Sequence, residues 1–248
     1  MSTSQIIDLK KPRIITINVR GHDYTFTVAP ITRKQWLKYF EGIQSTSERV
    51  NGKQVDSFDS TGARLALATE ALIAVDGYNS PGGGAVTEID GWRELIPSSH
   101  RLAIGNELIK VKRSEEADEQ PMTLGHEIVL LEAIWGFTRP VMSLVKQLRH
   151  NFTPPSVEQQ RRYNRDMSRS QIVGGSRTGK TRWLGAQATL AELYDELIVS
   201  VDGYSADGET LCDDRDQIVS AMDTYHKVVA AEALFTPASA AIDEEKEG

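Results

Sequence analysis

The sequence predicts a mainly α-helical protein: a tandem-duplicated helical module with an N-terminal β-hairpin. Three observations carry this reading. Residues 70–78 read EALIAVDGY and residues 196–204 read ELIVSVDGY, 126 positions on; the same offset pairs Gly82 with Gly208, Asp90 with Asp216, His100 with His226 and Leu108 with Leu234. Leu190, Leu193, Tyr194, Leu197, Ile198 and Val201 fall on one stripe of an α-helix. Ile15, Ile17 and Val19 alternate with polar residues, as do Tyr24, Phe26 and Val28, and turn-forming residues 20–23 separate the two runs.

The first copy keeps the helical stripe at five of its six positions, Leu67, Ala68, Ala71, Leu72 and Val75, with Arg64 the exception. Gly77 and Gly203 then end the helix, because glycine adopts the left-handed conformation at little steric cost. Tyr78 and Tyr204 are expected to fold back over the last turn. A second helix follows in each copy, roughly over 99–112 and 216–235, so the expected unit is a helical hairpin that needs a neighbour to cover its apolar stripe.

In chain order, residues 1–11 read as a loose arm. The hairpin over 13–28 is too small to stand alone and must dock on a helix or another subunit. Pro30 ends its second strand, and Thr32 with Gln35 forms a capping box for a helix carrying Trp36, Tyr39, Phe40 and Ile43. The polar stretch 44–62 reads as a loop turning at Asn51-Gly52, and 79–85 as a second loop. Residues 110–121 form a charged linker. The apolar segment 124–135 and the helix over 138–148, opened by Thr138 and Pro140, make a central helical hairpin between the copies. The second copy opens at Thr153-Pro-Pro-Ser156, which echoes Ala29-Pro-Ile-Thr32, without the aromatics and without a hairpin of its own. The expected divisions are therefore 1–112, hairpin plus first module; 113–150, central helical hairpin; 151–236, second module; and 237–248, a disordered acidic tail.

Composition bounds the function. Of the 248 residues 40% are hydrophobic and 25% charged, the proportions of a soluble globular protein with a sizeable core. The single cysteine, Cys212, makes no internal disulfide and fits a reducing compartment. No apolar run is long enough to span a bilayer. The net charge of −7 hides a basic stretch, 161–182, with seven Lys and Arg against Asp166 alone. Only Tyr163 and Trp183 are available to stack on bases, so a solvated face or a dock for an acidic partner fits that stretch better than nucleic acid.

Gly174 to Thr181 (GGSRTGKT) matches the phosphate-binding P-loop formally. A P-loop must follow a buried strand in a parallel sheet, and only Ile172 and Val173 are apolar after a polar run, so a flexible basic loop is the better reading. None of His22, His100, His126, His150 and His226 has a second ligand at metal-binding spacing, and neither a Ser/His/Asp elbow nor a Cys/His pair is present. No cofactor, metal or catalytic residue is expected, which leaves a protein-binding role.

Residues 17–28 (INVRGHDYTFTV), followed by Pro30-Ile-Thr32 and Trp36, resemble the opening of bacteriophage tail assembly chaperones: a hairpin of the type V-x-V-x-G-x-x-Y-x-V, then P-x-T and an aromatic-bearing helix. The resemblance covers the first half of the chain and departs from the family in being doubled. It implies a non-enzymatic chaperone in the host cytoplasm that binds the tape-measure protein or tail-tube subunits, with self-association an option. Tyr24, Phe26, Trp36, Tyr39 and Phe40 are the expected protein-binding residues. The alternatives are a structural virion protein, tail or capsid, and a P-loop nucleotide-binding protein.

Overall fold

The computed structural model describes residues 7–19, 21–50, 53–80, 83–113, 126–132, 146–170, 180–182 and 186–236. The chain is mixed α/β, which corrects the mainly helical expectation. Its described strands form four small sheets. The expected helical hairpin is also corrected: the first helix of each copy, residues 61–71 and 186–197, passes straight into a strand.

β1 (Ile7–Asp8) precedes the hairpin β2 (Arg13–Val19) and β3 (His22–Val28). Helix α1 (Arg33–Gly42) starts at the Thr32 cap, with the expected capping box to Gln35. The stretch expected as a polar loop is a second hairpin, β4 (Gln44–Val50) and β5 (Lys53–Asp59). Helix α2 (Thr61–Ala71) runs into β6 (Leu72–Asp76), which pairs antiparallel with β3. After a 3₁₀ turn come α3 (Trp92–Leu95), α4 (Ser98–Leu108) and β7 (Val111–Arg113). These elements form unit 1.

Unit 2 repeats the order. Where a central helical hairpin was expected, β8 (His126–Glu132) and β9 (Lys146–Phe152) pair as the second copy's own antiparallel hairpin. The apolar run in β8 alternates over a paired ladder, and length alone does not separate such a run from a helix. Residues 133–145 lie outside the described residues. α5 (Val157–Ser170), β10 (Lys180–Arg182), α6 (Ala186–Leu197), β11 (Ile198–Asp202), β12 (Tyr204–Ala206), β13 (Glu209–Thr210), α7 (Arg215–Ala221) and α8 (Thr224–Phe235) complete it. The helix expected over 216–235 is two helices, broken at Met222 and re-capped by Asp223.

The helical stripe misled at Ile198 and Val201 for a definite reason. β11 is bulged against β9 between Ile198 and Ser200, and the extra residue returns Ile198 and Val201 to the same buried face, three apart as on a helix. Unit 1 has its bulge at the same place, with Leu72 opposite Val28 and Ala74 opposite Thr27. Gly77 and Gly203 do have positive φ (96° and 89°), but they end strands. A Cβ on Gly203 would stand 2.8 Å from the Gln147 carbonyl, and one on Gly77 2.6 Å from the Asp23 carbonyl.

The register dates the second hairpin to the same unit. Arg149 faces Asp202 as Thr25 faces Asp76, so the hairpins and first helices correspond at 124 residues rather than 126. At that offset Ser156 and Gln159 repeat the capping box of Thr32 and Gln35, and Arg162–Glu196 at 2.7 Å repeats the Lys38–Glu70 ion pair.

Three strand pairings tie the units together, one of them β10 of unit 2 on β4 of unit 1. The arm expected to be loose is anchored at its described end: Ile7 and Leu9 are buried, and β1 adds in parallel to β12, Ile7 N–H donating to Gly203 O at 3.0 Å. β7, the last strand of unit 1, extends the sheet of unit 2 to give the order β11-β9-β8-β7. Residues 237–248, expected as a disordered tail, lie outside the described residues.

Candidate protein-binding pocket at the joint

Where α1 of unit 1 meets α5, α6 and α8 of unit 2, the chain leaves a pocket of about 290 Å³. Tyr39, Phe40 and Ile43 come from α1 and its C-cap, Met167 from α5, Leu190 from α6, and Tyr225, Val228, Val229 and Glu232 from α8. The last four stand at i, i+3, i+4 and i+7, so one face of α8 makes one wall. The other wall exists because the α1 aromatics share their edges between core and pocket.

The rings are fixed by one another. Tyr225 stacks on Trp36 with centroids 4.9 Å apart and lies nearly parallel to Phe40 at 6.1 Å. Trp36 meets Tyr39 edge-on at 5.7 Å. The Tyr225 hydroxyl donates to Ile109 O at 3.0 Å, which pins α8 to the end of α4. Burial raises the pKa values of Tyr225 and Tyr39, so both phenols stay neutral at any working pH. Glu232 is the pocket's carboxyl. It is open to the pocket yet hemmed in by protein, and desolvation raises its pKa. The lining is thus mostly apolar, with Ser60 and Gln187 as its neutral polar residues besides the tyrosines and Glu232 as its one acid, which suits the burial of an apolar side chain.

Of the five expected binding residues, the structure brings Tyr39 and Phe40 to this pocket. Phe26 and Trp36 are fully buried in the core, and Tyr24 packs on Tyr78 (4.6 Å) and His100 (4.9 Å). Sequence reasoning missed Tyr225, Val228, Val229 and Glu232. Their helical spacing is visible in the sequence, but nothing there says that their face meets Tyr39 and Phe40 some 190 residues away.

A second polar feature sits in the core of unit 2. Tyr194 Oη lies 2.9 Å from His150 Nδ1, His150 Nε2 lies 2.9 Å from Tyr204 Oη, and Tyr204 Oη lies 2.9 Å from His226 Nδ1. All four side chains are buried. Two arrangements of protons satisfy every contact with both imidazoles neutral: Tyr194 donates to His150, His150 to Tyr204 and Tyr204 to His226, or all three bonds run the other way. Burial drives the His150 pKa down to about 3 and that of His226 well below its ordinary value. Unit 1 keeps only the end of this chain, Tyr78 Oη to His100 Nδ1 at 2.5 Å, with Phe26 where unit 2 has His150. The burial on all sides makes the chain a core network rather than a site reached by a ligand.

The P-loop match finds no such setting. Residues 174–179 lie outside the described residues, Lys180 and Thr181 stand in β10 on the edge of the β4–β5 hairpin, and β11 is antiparallel to its neighbour β9. Among the described residues no group of His, Cys, Asp and Glu is placed to hold a metal ion, and no helix is long and apolar enough to cross a membrane. Cys212 is exposed. Comparison with protein-family models, with curated proteins and with solved structures finds no match for this chain.

Proposed function

We propose that this chain is a non-enzymatic assembly factor that holds an apolar segment of another protein in the pocket between its two units. The observation that carries the reading is the open, aromatic-lined pocket of about 290 Å³ whose walls come from both units. A volume of that size takes one or two large apolar side chains, the anchor residues that an amphipathic helix presents at helical spacing. The opening stretch of the chain, with its hairpin, Pro30, Thr32 and Trp36, gives the partner class: the long apolar helices of a phage tape-measure protein, or tail-tube subunits, met in the host cytoplasm.

Co-expression tests it. A tape-measure protein that is insoluble alone is expected to become soluble with the wild-type chain and to co-purify with it. Gln187→Trp fills the pocket from a half-exposed position of α6 without opening a cavity, and is expected to abolish the rescue while leaving the thermal melt unchanged. Equal solubility with and without the wild-type chain removes the reading; rescue that survives Gln187→Trp removes the pocket from it.

A further inference from the structure

Unit 1 hands unit 2 a strand. β7 follows directly on α4 and lies antiparallel along the outer edge of β8, with Lys112 opposite Leu131. Leu130 faces Leu148 in β9 as Ile17 faces Tyr24 in β3, so Leu130, Leu131 and Glu132 correspond to Ile17, Asn18 and Val19 of β2. Unit 1 therefore has the same receiving edge, and among the described residues nothing pairs with it.

That edge is ready to accept a strand. With Val19 opposite His22 across a two-residue turn, the pairs at Val19, Ile17, Ile15 and Arg13 make the hydrogen bonds to β3, and the amides of Ile14, Thr16 and Asn18 point outward. The parity agrees with unit 2, where Leu131, the counterpart of Asn18, is the centre of the β7 pairing. Edge strands are ordinarily blunted by a charge, a proline or a bulge. β2 has none of these between Ile14 and Val19, and Ile14 is 73% exposed.

The donor follows from how the units are related. Trp36 of unit 1 stacks on Tyr225 of unit 2, whereas the positions related in the opposite sense are Gln160 and Ser99, which cannot form such a stack. The joint is head-to-tail rather than two-fold, and a head-to-tail joint leaves one receiving surface and one donating end unused. β2 is the unused receiver. The residues that stand after α8 as β7 stands after α4 begin at 237.

We propose that residues 237–248 of a second copy add as an antiparallel strand to the outer edge of β2 and so link chains head to tail. The helical part of the joint does not propagate, because Gln160, Asn164 and Ser99 replace Trp36, Phe40 and Tyr225 on the outward faces. The strand is the main contact, and the association is weak and reversible.

Sedimentation velocity over a concentration series tests this on the full chain, on a chain ending at residue 236 and on Thr16→Pro, whose missing amide is an outward one. The full chain is expected to associate with rising concentration, and both variants to stay monomeric. A labelled peptide of residues 237–248 is expected to bind the shortened chain, and to bind it about tenfold more weakly when Thr16→Pro is added, for the lost strand bond and the ring in its place. A peptide that does not bind the shortened chain overturns the proposal, even if Thr16→Pro fails to fold. A peptide that binds while the full chain stays monomeric at every concentration overturns the link between chains, because the segment then closes on its own β2.

Discussion

At the scale of residues, the core of unit 2 depends on neutral histidines. Replacing His150 by Phe, the residue unit 1 carries at that position, leaves the hydroxyls of Tyr194 and Tyr204 short of a buried partner. The expected cost is about 2–4 kcal/mol, read from denaturant unfolding, and adding Tyr194→Phe should recover part of it. The same network sets a pH dependence. The folded pKa values of His150 and His226 lie below the unfolded value of about 6.5. Below that value the unfolded chain takes up protons that the folded one refuses. The stabilising effect is therefore complete above about pH 6.5 and lost as the pH falls toward about 3, at up to about 1.4 kcal/mol per pH unit for each histidine. Unfolding midpoints measured at pH 7.5, 6 and 5 should fall in that order, and His150→Phe should flatten the decline. Five isolated histidines are visible in the sequence. That two of them share one tyrosine is not, because His150 and His226 lie on a strand and a helix that meet only in the folded chain.

At the scale of elements, the short-range signals read well. The Thr32/Gln35 capping box predicted the start of α1, and the same pattern at Ser156/Gln159 opens α5. Thr32→Ala and Ser156→Ala should each cost about 1 kcal/mol, measured by thermal unfolding. The turn chemistry of residues 20–23 likewise marked the β2–β3 hairpin, although His22 and Asp23 belong to β3. The signals that failed were those that two structures can share. Ile198 and Val201 fit a helix by spacing and a bulged strand equally well, and the choice fell to β9, whose open edge takes β11. The apolar run in β8 was ambiguous in the same way. Gly203→Ala tests the strand-end role: with φ at 89° and the Gln147 carbonyl 2.8 Å from the new Cβ, the backbone conformation alone costs about 1–2 kcal/mol and the clash adds to it.

At the scale of the whole molecule, the two units are joined by a cluster of rings and three strand pairings, β1 on β12, β10 on β4 and β7 on β8. Tyr225→Ser installs the residue that unit 1 carries at the matching place, Ser99. It removes the stacks on Trp36 and Phe40 and the bond to Ile109 O, and should cost about 3–5 kcal/mol in denaturant unfolding while opening the pocket wall. By itself the sequence determined what depends on near neighbours: the internal correspondence, the first hairpin, the helix caps and the glycines of positive φ. Tertiary structure decided where helix gives way to strand, which unit owns the second hairpin, and that one face of α8 meets the aromatics of α1 to form a pocket. Those outcomes turn on which distant edge or face is available for pairing and burial, and a local pattern of apolar residues holds no record of its partner.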